Sequence, residues 1–340
     1  MGESHQGRRY KDVRELVIPA QAAVQCLLLL LCAAAHAAQP QPAAYPTKPV
    51  RFLVPYAPGA GTDTTARTLA AKLAERWNQQ VIVDNRGGAS GAIALEAAAN
   101  ATADGHTIVL VTNSQALGAA TGIKLPYDLA ADFRPVTQVL SVFYVLYVPP
   151  ALPVKSPREL IAYAKANPNK LSYGSSGAGS LQHVGTEMFN QNAGISLVHV
   201  PYKGSAGMIS GMLANEIQLG MNSLFSVRPQ VQAGRLRWLA ITAPKRSPVV
   251  DLPTVAESAL PGFEVEQWYG IATPVKVPEP TIAALHSGFT AALRMPDVAQ
   301  RLTADGSTLV GSTPHAFSAL VKAEIAKWRK VVQAANIRMQ

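Results

Sequence analysis

Two parts of the sequence follow the same order of a short apolar strand, a Gly-rich loop and a helix, and this repetition limits the possible folds more than any other feature. The first part spans residues 51–77, with Gly59 and Gly61 in its loop. The second spans residues 170–193, with a Gly/Ser loop at residues 174–180. In the first helix, apolar residues recur with a 3.6-residue period. We therefore predict an α/β chain whose two halves share one architecture.

Each half continues with further strands and helices in alternation. The predicted elements are strands 50–55, 81–84 and 107–112 with helices 64–77 and 92–99, then strands 170–173, 197–200 and 217–221 with helices 181–193 and 208–215. This order predicts parallel sheets whose loops gather at the carboxyl ends of the strands. The first amides of a helix have no partner within the helix, so each Gly loop suits an anion, either a phosphate or a carboxylate. If the lobes face each other, a ligand with two carboxylates can bridge them.

Two extended segments, residues 136–149 and 263–273, are placed to cross between the lobes. Three C-terminal helices, at residues 280–294, 297–305 and 314–335, are then expected to return to the first lobe. The predicted boundaries are residues 46–143 with 264–340 for lobe 1, and residues 144–263 for lobe 2. Two crossings predict a hinge about which the lobes open and close.

The N-terminal residues have the pattern of an export signal. Basic residues precede an apolar run at residues 22–35, which is shorter than the roughly 20 residues that span a bilayer, and Ala35-His36-Ala37 fits a cleavage site. We predict a signal peptide over residues 1–37, a leader over residues 38–45 and a periplasmic location. Both cysteines, Cys26 and Cys32, lie in the signal, so the exported chain would have no disulfide and no cysteine nucleophile.

Several other classes of protein are disfavoured by the sequence. The chain carries a net charge of +9 but no long basic block, so we expect no nucleic-acid partner. The Gly loops lack the patterns of nucleotide sites, and no H-E-x-x-H or similar metal spacing occurs. We therefore expect no cofactor, no metal and no enzyme activity. A hydrolase built on Ser180 and His183 is the enzyme alternative, although no acidic residue is evident to orient the histidine.

Short motifs along the chain resemble those of one receptor family. They are Tyr45-Pro-x-Lys-Pro-Val, Val54-Pro-Tyr-Ala-Pro-Gly-Ala-Gly-Thr-Asp63, Asp84-Asn-Arg-Gly-Gly-Ala, Ala103-Asp-Gly-His-Thr, Leu125-Pro-Tyr-Asp, Asp132-Phe-Arg-Pro-Val, His199-Val-Pro-Tyr-Lys-Gly, Leu252-Pro-Thr-Val-Ala-Glu and Trp268-Tyr-Gly. From about Tyr45 to the C-terminus, the sequence is similar to the Bug family, the periplasmic solute receptors of tripartite tricarboxylate transporters.

This resemblance implies a fold and a ligand class. The fold would be the type II periplasmic binding fold: two doubly wound α/β lobes joined by two extended crossover strands, with a ligand cleft between them. The ligand would be an organic acid, such as a di- or tricarboxylate, an acidic amino acid or an aromatic acid.

In that family, amides and hydroxyls of two Gly loops hold the ligand carboxylates. The matching residues are Tyr56, Gly59, Ala60, Gly61, Asp63, Thr112 and Ser114 in lobe 1, and Ser175, Gly177, Gly179, Ser180, His183, Tyr202, Lys203 and Asn222 in lobe 2. We expect the Gly179 amide to be essential for binding and Lys203 to be secondary. Asp63 fits a plain helix cap equally well. The chain departs from the family at Ala60, where Gly is usual, and at Tyr56, where Phe is common.

We therefore expect a monomeric receptor that closes on a small organic acid and is read by a membrane permease. A receptor that reports its ligand to a signalling partner would need the same closing cleft, so the sequence leaves that alternative open.

Overall fold

The protein's structure, a computed structural model, describes residues 45–59, 61–304 and 306–337. The predicted signal peptide, nearly all of the leader, and Ala60 lie outside these residues. No helix in the described ranges is both long and apolar enough to cross a membrane.

The first part of the chain builds a parallel sheet covered by helices. Its elements are β1 (Val50–Val54), α1 (Gly61–Trp77), β2 (Val81–Asn85), α2 (Ala92–Ala99), β3 (Thr107–Thr112) and α3 (Asn113–Ala120). Strand β1 lies between β2 and β3 and pairs with both in parallel. Phe52, Leu53 and Val54 of β1 are fully buried. Because parallel strands release their loops at one edge, the Gly loop after β1 and the start of α3 lie at the same end of the sheet.

One long strand, β4 (Phe133–Val148), has 16 residues and joins the two parts of the structure. Its first half pairs antiparallel with β9 (Glu266–Pro274), which also pairs antiparallel with β3. Its second half pairs antiparallel with β7 (Gly220–Ser223) and β8 (Arg237–Ile241). A short strand, β10 (Thr308–Leu309), also pairs with β4. The two segments predicted to cross between the lobes are therefore paired with each other.

The middle of the chain adds a small parallel sheet and five helices. Its elements are α4 (Pro157–Ala166), β5 (Ser172–Ser175), α5 (Leu181–Ala193), β6 (Val198–Pro201), α6 (Ser205–Leu213), α7 (Leu224–Gln232) and α8 (Val255–Ser258). Strands β5 and β6 pair in parallel, and Tyr173 forms a parallel bridge with Leu219 just before β7. Helices α5 and α7 begin shortly after β5 and β7, as α1 and α3 begin after β1 and β3.

Three helices complete the chain: α9 (Glu279–Leu293), α10 (Pro296–Thr303) and α11 (Pro314–Ala334). Phe289 of α9 meets Phe52 edge to face at 6.0 Å, which places α9 on the first sheet. Helix α11 packs on both parts of the core. Its Phe317 lies in a buried cluster with β3 and β9, whereas its Trp328 lies in a cluster with β5 and α5. The C-terminal helix thus contacts residues assigned to both lobes, and the lobe boundaries stay predictions.

Helix α3 was missed by the prediction that ended the third strand at Asn113-Ser114. The helix begins at Asn113, and its start is a capping box. The Thr112 hydroxyl accepts from a first-turn amide, and Gln115 Oε1 accepts from the Thr112 amide at 2.7 Å. A Thr-x-x-Gln sequence is a signal for such a start. Helices α4, α7 and α8 and strands β8 and β10 were also not predicted.

Other predicted elements shift by a few residues. Residues 92–99, 107–112 and 181–193 have the predicted bounds, while β5, β6, α6 and β7 are displaced. The strand predicted at 217–221 is observed as β7 at Gly220–Ser223. The residues before it bond elsewhere, because the amides of Gln218 and Leu219 donate to the Ser172 carbonyl.

Gly270 in β9 gives a test of the packing between the sheet and α11. A Cβ at this position would overlap the ring of the buried Phe317. We expect Gly270→Ala to lower the free energy of unfolding in urea by about 1–3 kcal/mol through overpacking. Gly207→Ala is the control, since its Cβ would meet Tyr202 Cβ at an ordinary 3.5 Å. Equal effects of the two variants would contradict this packing.

Candidate ligand-binding cleft

A cavity of about 680 Å³ lies between the starts of α3 and α5. It is lined by Tyr56, Ser90, Ala92, Ser114, Gln115, Gly118 and residues 123–127 and 176–180. Lys124 is the cation of this lining, and none of the described lining residues is acidic. The cavity is therefore surrounded by neutral polar groups, apolar side chains and a single positive charge.

Gln115 fixes the α3 side of this cavity. The side chain is buried; its Nε2 donates to the Ser90 carbonyl at 2.9 Å and lies 3.3 Å from the Tyr56 hydroxyl. The Thr112 hydroxyl lies 3.3 Å from the Tyr56 hydroxyl and accepts from the Ser114 amide at 3.2 Å. The Ser114 hydroxyl makes no hydrogen bond with any described group, so it is available to a ligand.

The second Gly loop uses its own amides to hold its shape. The Ser175 hydroxyl accepts from the Gly177 amide at 3.2 Å and donates to the Gly177 carbonyl at 3.0 Å. The Gly179 amide donates to Nδ1 of His183 at 3.0 Å. Ser180 caps α5 by accepting from the His183 amide at 3.3 Å.

The donors open to a ligand therefore differ from the expectation that placed the Gly179 amide first. That amide is already engaged by His183. By contrast, the amides of Ala178, Leu181 and Gln182 donate to no group in the described ranges. The Ser180 O–H is also free to donate, because only the acceptor side of this hydroxyl is used. These groups are the ones that can meet an anion at the start of α5.

Two neutral histidines stack beneath the second Gly loop. The rings of His183 and His199 lie 3.8 Å apart at 9°, and His199 stacks on Tyr173 at 5.0 Å. Burial, together with the neighbouring His199, lowers the pKa of His183 to about 4. Burial also lowers the pKa of His199. The stack therefore braces the loop through the Gly179 bond and adds no positive charge at neutral pH.

The contacts do not assemble the serine–histidine pair of the hydrolase alternative. The Ser180 hydroxyl meets the backbone amide of His183 and has no described bond to its ring. The pair that does form is Ser175 Oγ with His199 Nε2, at 2.7 Å, and Ser175 is fully buried. Neither pair offers a nucleophile that is both activated and accessible.

Asp63 braces the first Gly loop. Its buried carboxylate accepts from the Gly59 amide at 2.8 Å, from Arg67 Nε at 3.0 Å and from Asn85 Nδ2 at 3.0 Å. Burial opposes ionisation, but the bonds from Arg67, Gly59 and Asn85 outweigh it and hold the pKa of Asp63 below its ordinary value. Asn85 also donates to the Tyr56 carbonyl at 3.0 Å. The Asp63 carboxylate is thus engaged in holding the loop.

A smaller cavity of about 450 Å³ lies at the tip of this loop, between the starts of α1 and α7. It is lined by Gly59, Gly61, Thr64, Thr65, Leu140, Val142, Ser223, Phe225, Gln267, Tyr269, Arg301, Leu302, Ala304 and Ser307. The first Gly loop borders both cavities, with Tyr56 in the larger and Gly59 in the smaller.

The predicted site residues fall into distinct places. Tyr56, Ser114, Gly177, Gly179 and Ser180 line the larger cavity, and Gly59 and Gly61 line the smaller one. Asp63, Thr112, Ser175, His183 and Asn222 are buried beside these loops. Tyr202 and Lys203 line neither cavity; the Tyr202 hydroxyl donates to Glu216 at 2.8 Å, and Lys203 is exposed. Ala60 is outside the described residues. Contact of these residues with a ligand stays a prediction.

Ser90, Gln115 and Lys124 are among the residues that line the larger cavity but were not predicted as site residues. The capping-box pattern could have found Gln115. Lys124 stands directly before the Leu125-Pro-Tyr-Asp motif, but nothing local shows that this segment turns toward the cleft. Ser90 carries a positive φ of 53° in the turn before α2, which its sequence does not announce.

Comparison with known proteins identifies the class. Residues 65–337 match the family described as the tripartite tricarboxylate transporter family receptor, and the chain belongs to this family. The protein BugT of Bordetella pertussis strain Tohama I is 33% identical over 301 residues, which cover 87% of this chain and 92% of BugT.

Two solved structures are also similar. R. palustris Rpa4515 with adipate shares 37% identity and a TM-score of 0.73, covering 86% of this chain and 99% of that one. MatC (Rpa3494) from Rhodopseudomonas palustris with bound malate shares 30% identity and a TM-score of 0.70, covering 85% and 100%. These similarities confirm the predicted fold class and the resemblance to the Bug family.

The low pKa of His183 predicts an acid-dependent loss of stability. Unfolded histidine takes up a proton near pH 6.5, whereas folded His183 does so only near pH 4. The unfolded state therefore binds more protons in this window, and the free energy of unfolding should fall by roughly 3 kcal/mol as the pH drops through it. Asn at position 183 keeps an acceptor for Gly179 but does not titrate, so His183→Asn should flatten the pH profile of urea unfolding. An unchanged slope, equal to that of the exposed control His315→Asn, would contradict the assignment.

The role of Asp63 as a brace can be tested without a ligand. Asp63→Asn replaces a carboxylate that accepts three hydrogen bonds, so we expect the free energy of unfolding at pH 7 to fall by about 1–3 kcal/mol. Asp251→Asn removes the same charge from an exposed position and is the control. If both variants unfold at the same urea concentration, Asp63 does not hold the loop.

Proposed function

We propose that the larger cavity binds the carboxylate of a small organic acid and that the protein is an extracytoplasmic solute receptor. The observation that carries this proposal is the composition of the cavity. It lies between two helix starts, contains Lys124, and has no acidic side chain among its described lining residues. The helix N-termini and Lys124 attract an anion, and no acidic side chain of the described lining repels it.

The donors suit a carboxylate in particular. The Ser114 and Ser180 hydroxyls and the Ala178 amide are free to donate, and hydrogen bonds to an ionised carboxylate are stronger than those between neutral groups. Tyr127 and Leu125 add an apolar wall on which the carbon skeleton of an acid can pack. The adipate of Rpa4515 and the malate of MatC, both dicarboxylates, support this ligand class.

Capture would occur by closure of two lobes, with β4 and β9 as the crossings. We retain residues 46–143 with 264–340, and residues 144–263, as the proposed lobes. In the periplasm, the closed form would then be recognised by the membrane permease of a tripartite transporter. This accords with the family of the chain. Lys124 and the start of α3 would belong to one lobe and the start of α5 to the other, so a bound carboxylate would stabilise the closed form.

Thermal and urea unfolding with a panel of organic acids tests this function. The panel contains aliphatic dicarboxylates, acidic amino acids and aromatic acids, each beside its neutral amide. A ligand present at 100 times its dissociation constant should add about 2.7 kcal/mol to the free energy of unfolding. We expect this gain from at least one acid and from none of the amides. The proposal would be refuted if an amide stabilised the protein as strongly as its acid does, or if no acid of the panel stabilised it.

A further inference from the structure

Arg301 in α10 is the cation of the smaller cavity, and none of the described residues that line this cavity is acidic. Its side chain is exposed, and no ion pair within the described ranges involves it. Arg51, Arg67 and Arg246, by contrast, each lie beside a carboxylate. A guanidinium that has no carboxylate partner among the described residues, and that borders a cavity, presents a fork of donors that matches a carboxylate.

Neutral donors accompany Arg301. Gln267 Oε1 lies 3.3 Å from the Tyr144 hydroxyl, which leaves Nε2 without a partner in the described chain. The Ser223 hydroxyl bonds to Ser226 at 2.8 Å and does not cap α7. The side chain of the N-cap residue therefore accepts no hydrogen bond from the first-turn amides of α7.

The remaining wall of this cavity is apolar. Phe225 is 67% exposed, although it is a large aromatic residue, and it lines the cavity with Leu140, Val142 and Leu302. An exposed ring beside a cation suits a ligand that has an apolar carbon skeleton and a negative charge, such as an acid with a methylene chain or a ring.

From these features we propose that the smaller cavity is a second acid-binding subsite, in which Arg301 receives the far carboxylate of a dicarboxylic ligand. The proposal rests on the proposed function, which places the first carboxylate in the larger cavity. The first Gly loop borders both cavities, through Tyr56 in the larger and Gly59 in the smaller. One ligand would therefore extend along this loop from the first cavity to the second. Arg301 would then select diacids over monoacids, while Lys124 would attract either.

Isothermal titration calorimetry of matched acids tests this subsite. The probes are straight-chain dicarboxylates of four to eight carbons, each compared with the monocarboxylate of the same carbon number. Arg301→Gln should weaken the best diacid about tenfold and change its monoacid by no more than about twofold. Arg301→Lys should keep part of the preference because it keeps the charge. Lys124→Gln should weaken both acids, and Arg235→Gln, at an exposed arginine outside both cavities, should weaken neither.

The outcomes separate the two proposals. If acids bind the wild type but Arg301→Gln weakens neither class, or both equally, the subsite is refuted and the proposed function stands. If no acid binds the wild type, the proposed function fails, and the subsite fails with it. A thermal midpoint of each unliganded variant close to that of the wild type excludes misfolding as the cause.

Discussion

The antiparallel pairing of β4 with β9 is the interaction on which the rest of the structure depends. Strand β9 fastens β4 to β3 and so to the first sheet, and the second half of β4 continues into pairs with β7 and β8. The register of the β4–β9 pair shifts between Pro135 and Thr137 and again between Gln138 and Leu140. Such shifts bend and twist a strand pair. As a result, the loops after β1, β3 and β7 follow strands of one connected sheet, and β5 is linked to the end of β7 by the bridge between Tyr173 and Leu219.

Both Gly loops are braced in the same way. In each, a glycine amide donates to the side chain four residues later: Gly59 to Asp63, and Gly179 to His183. One acceptor is an ionised carboxylate and the other a neutral imidazole. Because these amides hold the loops, they fix the positions of the donors that remain, and a site fixed before binding loses less freedom when its ligand arrives. The loops thus use part of their hydrogen-bonding capacity for their own shape.

Much of this could be predicted from local patterns. Periodicity and Gly-rich turns located β3, α2 and α5 with the observed bounds. Nine short motifs between Tyr45 and Gly270 indicated the family, which the match over residues 65–337 confirms. The sequence also located the loops that line the cavities. It could not show which amides those loops use internally, because the partner of Gly179 depends on how His183 packs against His199. Lys124 and Arg301 are far from both Gly loops in the sequence, so only the tertiary fold reveals that each of them lines one of the two cavities.

The position of a bound carboxylate is the most direct test of this account. A crystal structure of the protein with the acid that stabilises it most would locate that group. We predict a carboxylate within hydrogen-bonding distance of the Ser114 and Ser180 hydroxyls and the Ala178 amide, with the Gly179–His183 bond intact. A carboxylate bound instead to the ring of His183, or an acid with no carboxylate in the larger cavity, would contradict the account.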